Sequence, residues 1–150
     1  MKELVGLAAA PILAIAVFCT SAVADPIKDR QALMKDQGKT VGSITPIIKG
    51  EKPFDAALVI SALKHLNEDA QKIDLVTLFP AGTDQGGETT ASPKIWEDSA
   101  GFEAALTKYK ADAAKAAAAE PKDIESFKVV FNQVTENCGA CHKAFRIKKD

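Results

Sequence analysis

Residues 124–146, "IESFKVVFNQVTENCGACHKAFR", carry apolar side chains at intervals of three and four residues without a gap. The apolar positions are Ile124, Phe127, Phe131, Val134, Cys138, Cys141 and Phe145. Because an α-helix has about 3.6 residues per turn, this spacing places them on one side of a helix, as in the inward stripe of a helix bundle. The sequence therefore predicts a long helix that begins near Pro121.

Two earlier segments of the chain have the same helical spacing. In residues 27–48, apolar side chains recur every three, four or seven residues until "KGEKP", where glycine and proline interrupt the pattern. The next segment begins at Asp55, whose carboxylate can cap a first turn, and it continues through Ile73 toward Phe79-Pro80. We expect one helix from each segment.

A third helix, in chain order, is predicted to follow "FPAGTDQGGETTASP", residues 79–93. That segment is rich in Gly, Thr and Pro, which predicts a long crossover loop. We expect Ser92 as N-cap, Pro93 as the first helical residue and Asp98 in an early turn of a helix that continues through Ala113. No segment alternates with a period of two, and the other connections are short. The predicted fold class is all-α, an antiparallel up-down-up-down four-helix bundle.

Residues 1–24, "MKELVGLAAAPILAIAVFCTSAVA", have the pattern of a secretory signal peptide, with one lysine, an apolar run and small residues at the end. The apolar run of about 15 residues is shorter than the roughly 20 needed to span a bilayer, which favours a cleaved signal over a membrane anchor. We expect residues 25–150 to be a single exported domain. Since 19 Lys and Arg nearly balance 20 Asp and Glu, no overall field would attract nucleic acid or an anionic membrane.

The signal peptide contains Cys19, so the mature domain keeps two of the three cysteines, Cys138 and Cys141. A disulfide across two intervening residues would close too small a loop to constrain the unfolded chain much. With His142, the two cysteines form Cys-x-x-Cys-His, the attachment signature of c-type haem. Two thiols three residues apart project from the same side of a helix and can form thioethers, while the histidine becomes an axial iron ligand. The sequence predicts one covalently attached haem c.

Two other uses of these cysteines fit the sequence less well. A thioredoxin-like dithiol would stand at the start of a helix after a strand, whereas this motif lies near the end of a long helix. A zinc site could use Cys138, Cys141, His142 and His65, but structural zinc usually joins two separated half-sites. His65 lies among polar residues and is expected on a solvated helix face, and Trp96 and Tyr109 are expected to pack within the third helix.

The segments "DRQALMKDQG", "KGEKPFD", "LFPAGTD", "SPKIWED" and "NCGACHKAFR" together resemble cytochrome c′ and its low-spin relatives, the class II c-type cytochromes. The resemblance covers residues 25–149, and it is specific because ordinary small cytochromes c carry the haem motif near the N-terminus. It implies a four-helix bundle in a bacterial periplasm, usually a dimer, with one haem c held between helices. It also implies further haem-contacting residues, which are Arg30, Gln31, Thr83, Asp84 and Arg146.

Within this resemblance, Arg30 and Gln31 match positions that contact the haem propionates, and Thr83 and Asp84 match the crossover loop. Arg146 lies one helical turn beyond His142, where the family has an arginine beside the proximal imidazole. From the residues alone, an arginine on the apolar stripe of the first helix needs an anionic partner, which a propionate would supply.

Whether Met34 binds the haem iron decides between two possible functions. It lies one turn after Arg30, and in the low-spin relatives a methionine here is the sixth iron ligand, which suits a periplasmic carrier of single electrons that exchanges them with redox proteins. In cytochrome c′ an unligated apolar residue here covers a five-coordinate, high-spin haem that binds a small diatomic gas such as nitric oxide or carbon monoxide. The motif does not separate the two. Because no catalytic triad or carboxylate pair falls on a common face, an enzyme is not expected.

Overall fold

The structure of the chain, a computed structural model, describes residues 25–148, so the predicted signal peptide lies outside the described residues. The helices in chain order are α1 Pro26–Ile48, α2 Ala56–Lys72, α3 Leu75–Leu78, α4 Lys94–Glu97, α5 Ser99–Ala119 and α6 Ile124–Phe145. The long helices α1, α2, α5 and α6 form the predicted all-α four-helix bundle, in which α2 packs on α5, α5 on α6 and α1 on α2. Within residues 25–148, no helix has the length and hydrophobicity required to cross a membrane.

An aspartate caps the N-terminus of each long helix. The carboxylate of Asp25 accepts backbone N–H bonds from α1, and Asp55 accepts the Leu58 N–H at 3.0 Å, as predicted for α2. Asp123 and Ser126 form a reciprocal capping box at α6. Such caps satisfy backbone donors that have no partner inside the helix.

The predicted third helix is wrong in its first part. The chain forms a single turn, α4, and then breaks at Asp98, whose φ of −123° and ψ of 58° are not helical. The Asp98 carboxylate accepts the Gly101 N–H at 3.1 Å and so begins α5, whereas Ser92 lies before α4, where its hydroxyl accepts the Lys94 N–H at 3.2 Å. The sequence pattern missed this break because an aspartate serves equally well inside a first turn and as a cap.

Two apolar clusters hold the bundle together. The larger fills the space between the long helices with residues such as Ile44, Leu63 and Phe127, all of which are buried. In the smaller one, Phe102 packs edge-on between Phe79 and Phe145, with ring centroids 4.9 and 5.1 Å apart. The smaller cluster ties the start of the crossover loop to the end of α6, which places the loop beside the Cys-x-x-Cys-His segment.

The crossover loop is also fixed by the backbone. The Ser92 N–H donates to the Phe145 carbonyl at 3.0 Å, and the Ile147 N–H donates to the Thr90 carbonyl at 2.8 Å. Ala91 and Arg146 consequently form an isolated antiparallel bridge. This pairing holds the end of the loop against the end of α6.

Candidate haem site

Cys138, Cys141 and His142 lie near the end of α6, and their side chains line one cavity. Both thiols are free and half buried, and the Cys138 thiol contacts the Val134 carbonyl one turn earlier, with sulfur and oxygen 3.7 Å apart. Residues three and four positions apart share a helix face. The helix therefore presents both thiols and the imidazole to the same space.

The cavity has a volume of about 770 Å³ and is lined by residues of the four long helices, of α4 and of the crossover loop. Sites for small molecules and cofactors typically occupy about 300 to 1,000 Å³ and have mostly apolar walls. The apolar wall here includes Val41, Leu66, Ile73, Phe79, Ile95, Phe102, Leu106 and Phe145. α1 and α6 do not pack closely against each other, and this leaves the space that the cavity occupies.

Arg30 is buried on α1 and connects this helix to the crossover loop. Its guanidinium donates to the Leu78 carbonyl at 3.0 Å, to the Thr83 hydroxyl at 2.8 Å and to the Thr89 hydroxyl at 2.6 Å, and also to the Thr83 carbonyl. Burial lowers the pKa of Arg30 from its usual value, while the charges of Asp25 and Asp84 act in the opposite direction. Arg30 also lines the cavity, so it is both a wall residue and the anchor of the loop.

The other residues matched by resemblance fall into two groups. Gln31 and Arg146 line the cavity; the Gln31 amide donates to the Gly87 carbonyl at 3.2 Å, and Arg146 Nε donates to the Thr90 hydroxyl at 3.2 Å. In the described part of the chain, Thr83 and Asp84 are not among the lining residues, and they approach the site through Arg30. The loop residues that do line it are Glu88, Thr89, Thr90 and Ala91, farther along the same segment.

Met34 and Gln37 are neighbours on the α1 wall of the cavity. Met34 is one of the more exposed large apolar side chains, at 38%. Gln37 is buried, and its carbonyl oxygen accepts the Tyr109 hydroxyl at 2.7 Å. Among the described residues, no acceptor reaches Gln37 Nε2, a buried donor that is costly to leave unpaired. The sequence pattern missed this pair, because Tyr109 was expected only to pack and Gln37 gave no motif signal.

The titrating groups of the motif are shifted toward their neutral forms. Burial raises the pKa of the Cys138 thiol, and burial together with the neighbouring Cys138 raises that of Cys141. The pKa of His142 is lowered, mainly by partial desolvation and also by the cationic Arg146. Raised thiol pKa values are the opposite of what a reactive dithiol requires. A neutral imidazole is the form that ligates a metal.

His65 lies on α2 and faces away from this cavity. Its Nε2 is 3.0 Å from the Asp36 carboxylate, and within residues 25–148 it is not among the cavity-lining side chains. A zinc site that combines His65 with the cysteines would therefore need a different arrangement of α2 and α6.

The residues of the cavity fit a covalently bound haem. Two thiols about one turn apart and an adjacent neutral imidazole match its attachment chemistry. The apolar wall suits a porphyrin face, Arg30 and Arg146 supply cationic groups, and the Gln37 amide is a buried donor that finds no acceptor within residues 25–148. The donor set therefore matches the haem that the sequence predicts.

Comparison with known proteins gives consistent matches. The cytochrome c′ family model matches residues 25–146. A cytochrome c-556 of Agrobacterium fabrum is 35% identical over 133 residues, which is 87% of this chain and 88% of the relative. The structure of cytochrome c′ from Rhodopseudomonas palustris superposes with a TM-score of 0.77 at 40% identity and covers 85% of this chain and 99% of its own. A variant of cytochrome c prime from Alcaligenes xylosoxidans, solved as a nitric oxide complex, has a TM-score of 0.71 at 30% identity, with coverages of 82% and 94%.

Proposed function

We propose, because this chain belongs to the cytochrome c′ family, that it is a periplasmic monohaem cytochrome that carries single electrons between partner proteins. Like the family, it binds haem c covalently. The observation that carries the electron-transfer proposal is that Met34 on α1 and His142 on α6 line the same cavity. A thioether and an imidazole are a ligand pair that cytochromes use to hold iron in both oxidation states.

Each residue of the site has a role in this proposal. Cys138 and Cys141 would hold the haem through thioether bonds, and His142 and Met34 would supply the nitrogen and the sulfur that bind its iron. The bound haem supplies an iron centre that changes oxidation state by one electron. The apolar wall excludes water from the site, and a fixed ligand set limits the rearrangement that accompanies electron transfer.

A second function has one observation in its favour. Gln37 Nε2 is a buried amide donor on the cavity wall without an acceptor in the described residues. A small polar diatomic held in the cavity would give this donor a partner. The similar protein from Alcaligenes xylosoxidans has been solved as a nitric oxide complex. In this alternative Met34 only covers the site and the protein captures a gas.

An optical experiment on the purified holo-protein separates the two functions. With Met34 as a ligand, the ferrous spectrum of the native chain stays unchanged under carbon monoxide, and that of Met34→Leu changes on adding the gas. If the native chain responds to carbon monoxide as fully as Met34→Leu does, the electron-carrier proposal is wrong and gas binding is supported. Gln37→Leu then serves as the second variant, because loss of its amide donor should weaken gas binding without altering Met34.

Export and attachment are tested together by expression with the haem-attachment machinery. We expect haem-stained protein in the periplasmic fraction, with a mature N-terminus at Asp25 by mass spectrometry. The double variant Cys138→Ala, Cys141→Ala should lose the haem stain on a denaturing gel, because no thioether can form. Stained protein confined to the cytoplasm would contradict the proposed location.

A further inference from the structure

Outside the haem cavity, three side chains with metal-binding atoms meet between α1 and α2. His65 Nε2 lies 3.0 Å from Asp36 Oδ2 and 3.7 Å from Asp69 Oδ2. The ligand atoms of the three side chains all lie within 4.8 Å of one another. Asp36 comes from α1, whereas His65 and Asp69 stand one turn apart on α2. The cluster therefore bridges two helices.

Asp69 gives an independent indication of a missing partner. The residue is fully buried, at 0% exposure, although aspartate is seldom buried unless it is paired. Its Oδ1 accepts from Lys72 at 2.8 Å, whereas no hydrogen-bond donor in the described part of the chain reaches its buried Oδ2. Oδ2 is the oxygen that faces His65. An unpaired buried carboxylate oxygen is costly, and its position at the centre of the cluster is where a cation would lie.

We propose that Asp36, His65 and Asp69 form a binding site for one divalent transition-metal ion of the zinc type. Zinc bonds to histidine nitrogen and carboxylate oxygen are about 2.0 to 2.2 Å long, so tetrahedral ligand atoms lie about 3.3 Å apart. The observed separations of 3.0 and 3.7 Å fall on either side of that value. Because zinc sites with three protein ligands leave a fourth position for water, the half-exposed Asp36 and His65 side chains suit the solvent side of the ion.

The surroundings of the cluster also suit a cation. The two carboxylates carry a charge of −2 that a divalent ion offsets, and Lys72 adds one positive charge on the side of Asp69 Oδ1. Glu68 Oε2 lies 3.9 Å from His65 Nδ1, on the ring nitrogen that faces away from the cluster. The Glu68 carboxylate therefore adds negative charge beside the histidine, which also favours a cation.

A metal ion here would link α1 to α2. An ion that binds only the folded state stabilises it by mass action, increasingly as its concentration exceeds the dissociation constant. None of the three ligands lines the haem cavity in residues 25–148. The site is therefore independent of the proposed electron transfer, and either proposal can fail without the other.

The test is titration of the chelator-treated holo-protein with Zn²⁺ by isothermal calorimetry. We expect one ion per chain, and a dissociation constant that rises more than about tenfold in both His65→Asn and Asp36→Asn. Zn²⁺ should raise the thermal unfolding midpoint of the native chain and not that of His65→Asn. Glu103→Gln on the exposed face of α5 changes the charge by the same amount as Asp36→Asn and should bind Zn²⁺ like the native chain.

The proposal is overturned if the native chain takes up no stoichiometric Zn²⁺, or if both variants bind it as tightly as the native chain does. In that case the three side chains form only an ion-pair cluster. The haem absorption spectrum, which none of these substitutions should change, verifies that each variant is folded and loaded. Two variants on different helices keep the result interpretable if one substitution disturbs the local packing.

Discussion

Arg30 joins the first helix to the crossover loop through hydrogen bonds to two backbone carbonyls and two threonine hydroxyls. Its side chain lies over the Phe79 ring, with the guanidinium carbon 5.2 Å from the ring centroid. Burial lowers its pKa, but an arginine stays protonated at any physiological pH. These contacts fix the segment that carries Thr89, a residue of the cavity wall. Arg30 therefore shapes the haem cavity as well as lining it.

Replacement of Arg30 by glutamine is expected to lower the free energy of unfolding of the holo-protein by about 3 kcal/mol. The shorter side chain cannot reach all of these acceptors and leaves buried oxygens unpaired. Denaturant unfolding followed by circular dichroism measures the change.

Arg146→Gln is the matched control, because Arg146 is exposed and its side chain makes one hydrogen bond among the described residues, to Thr90. Arg146→Gln should lower the free energy of unfolding by less than about 1 kcal/mol. Equal effects from the two substitutions would contradict the anchoring role of Arg30.

At the scale of single residues, the sequence predicted what depends on local spacing. Cys138, Cys141 and His142 could be placed on one helix face, and the structure brings all three to the same cavity. The sequence also indicated that Arg30 needs an acceptor, but it could not show that Leu78 and the threonines would supply several. Those partners lie 48 to 59 residues away along the chain. Their approach depends on the path of the loop, which periodicity does not encode.

At the scale of helices, Asp98 decides where α5 begins. Its Oδ1 accepts the Gly101 N–H at 3.1 Å. A β-carbon on Gly101 would lie 2.5 Å from Asp98 Oδ2, so the cap and a larger residue at 101 compete for the same space. The break between α4 and α5 also lets Trp96 Nε1 donate to the Phe79 carbonyl at 3.0 Å, which holds the start of the loop.

Asp98→Ala is expected to destabilise the holo-protein by about 1 kcal/mol, the usual cost of losing an N-cap. The loss should lower the denaturant concentration at the unfolding midpoint and leave the m-value, the dependence of the unfolding free energy on denaturant, unchanged. Gly101→Ala should have an effect of the same sign, and the double variant should cost less than the sum of the two, because both remove one interaction.

Ser92→Ala serves as the comparison, since Ser92 precedes only the single turn of α4. If Ser92→Ala lowers the free energy of unfolding more than Asp98→Ala does, the result would instead support the uninterrupted helix that the sequence pattern predicts.

The prediction of helices succeeded where no sequence signal competed with the apolar periodicity. Asp55 caps α2 as predicted, and the apolar stripe defines α6, which begins at Ile124 rather than near Pro121. The prediction failed at Asp98, because Ser92 and Asp98 are both candidate caps, six residues apart, and the apolar spacing continues past both. The short α3 was also missed: Asp74 accepts the Thr77 N–H at 2.8 Å and starts a new turn just after α2 ends at Lys72. Tertiary packing decides which of two neighbouring cap residues begins a helix, and the sequence pattern does not show that packing.

At the scale of the whole molecule, the bundle contains a buried polar network that connects α5 to α6. Asp112 is 4% exposed, and it accepts from Lys108 at 2.6 Å and from Asn137 and Gln133 at 2.9 Å. Lys108 also donates to the Asn137 side-chain oxygen at 2.9 Å. Since Asn137 lines the cavity one position before Cys138, the network supports the wall that carries Cys138 and Cys141.

The Asp112 network makes the stability of the bundle sensitive to acid. The hydrogen bonds from Lys108 and Asn137 hold the pKa of Asp112 below its usual value of 3.8 in the folded protein. A carboxyl whose pKa is lower in the folded than in the unfolded state contributes stability above the unfolded pKa and loses it as pH falls through the folded one. The contribution of Asp112 should therefore be complete above about pH 5 and decline below about pH 4.

Asp112→Asn tests this prediction, because it keeps the shape of the side chain and removes the charge. At neutral pH the variant should be less stable by about 2 kcal/mol, and the gap to the native chain should narrow as the pH is lowered from 5 toward 3. Unfolding of both holo-proteins by urea across this range measures the gap, and haem ligation affects the two alike. Parallel stability curves for the two proteins, or the same narrowing in Glu103→Gln, would show that acid acts on the bundle through groups other than Asp112.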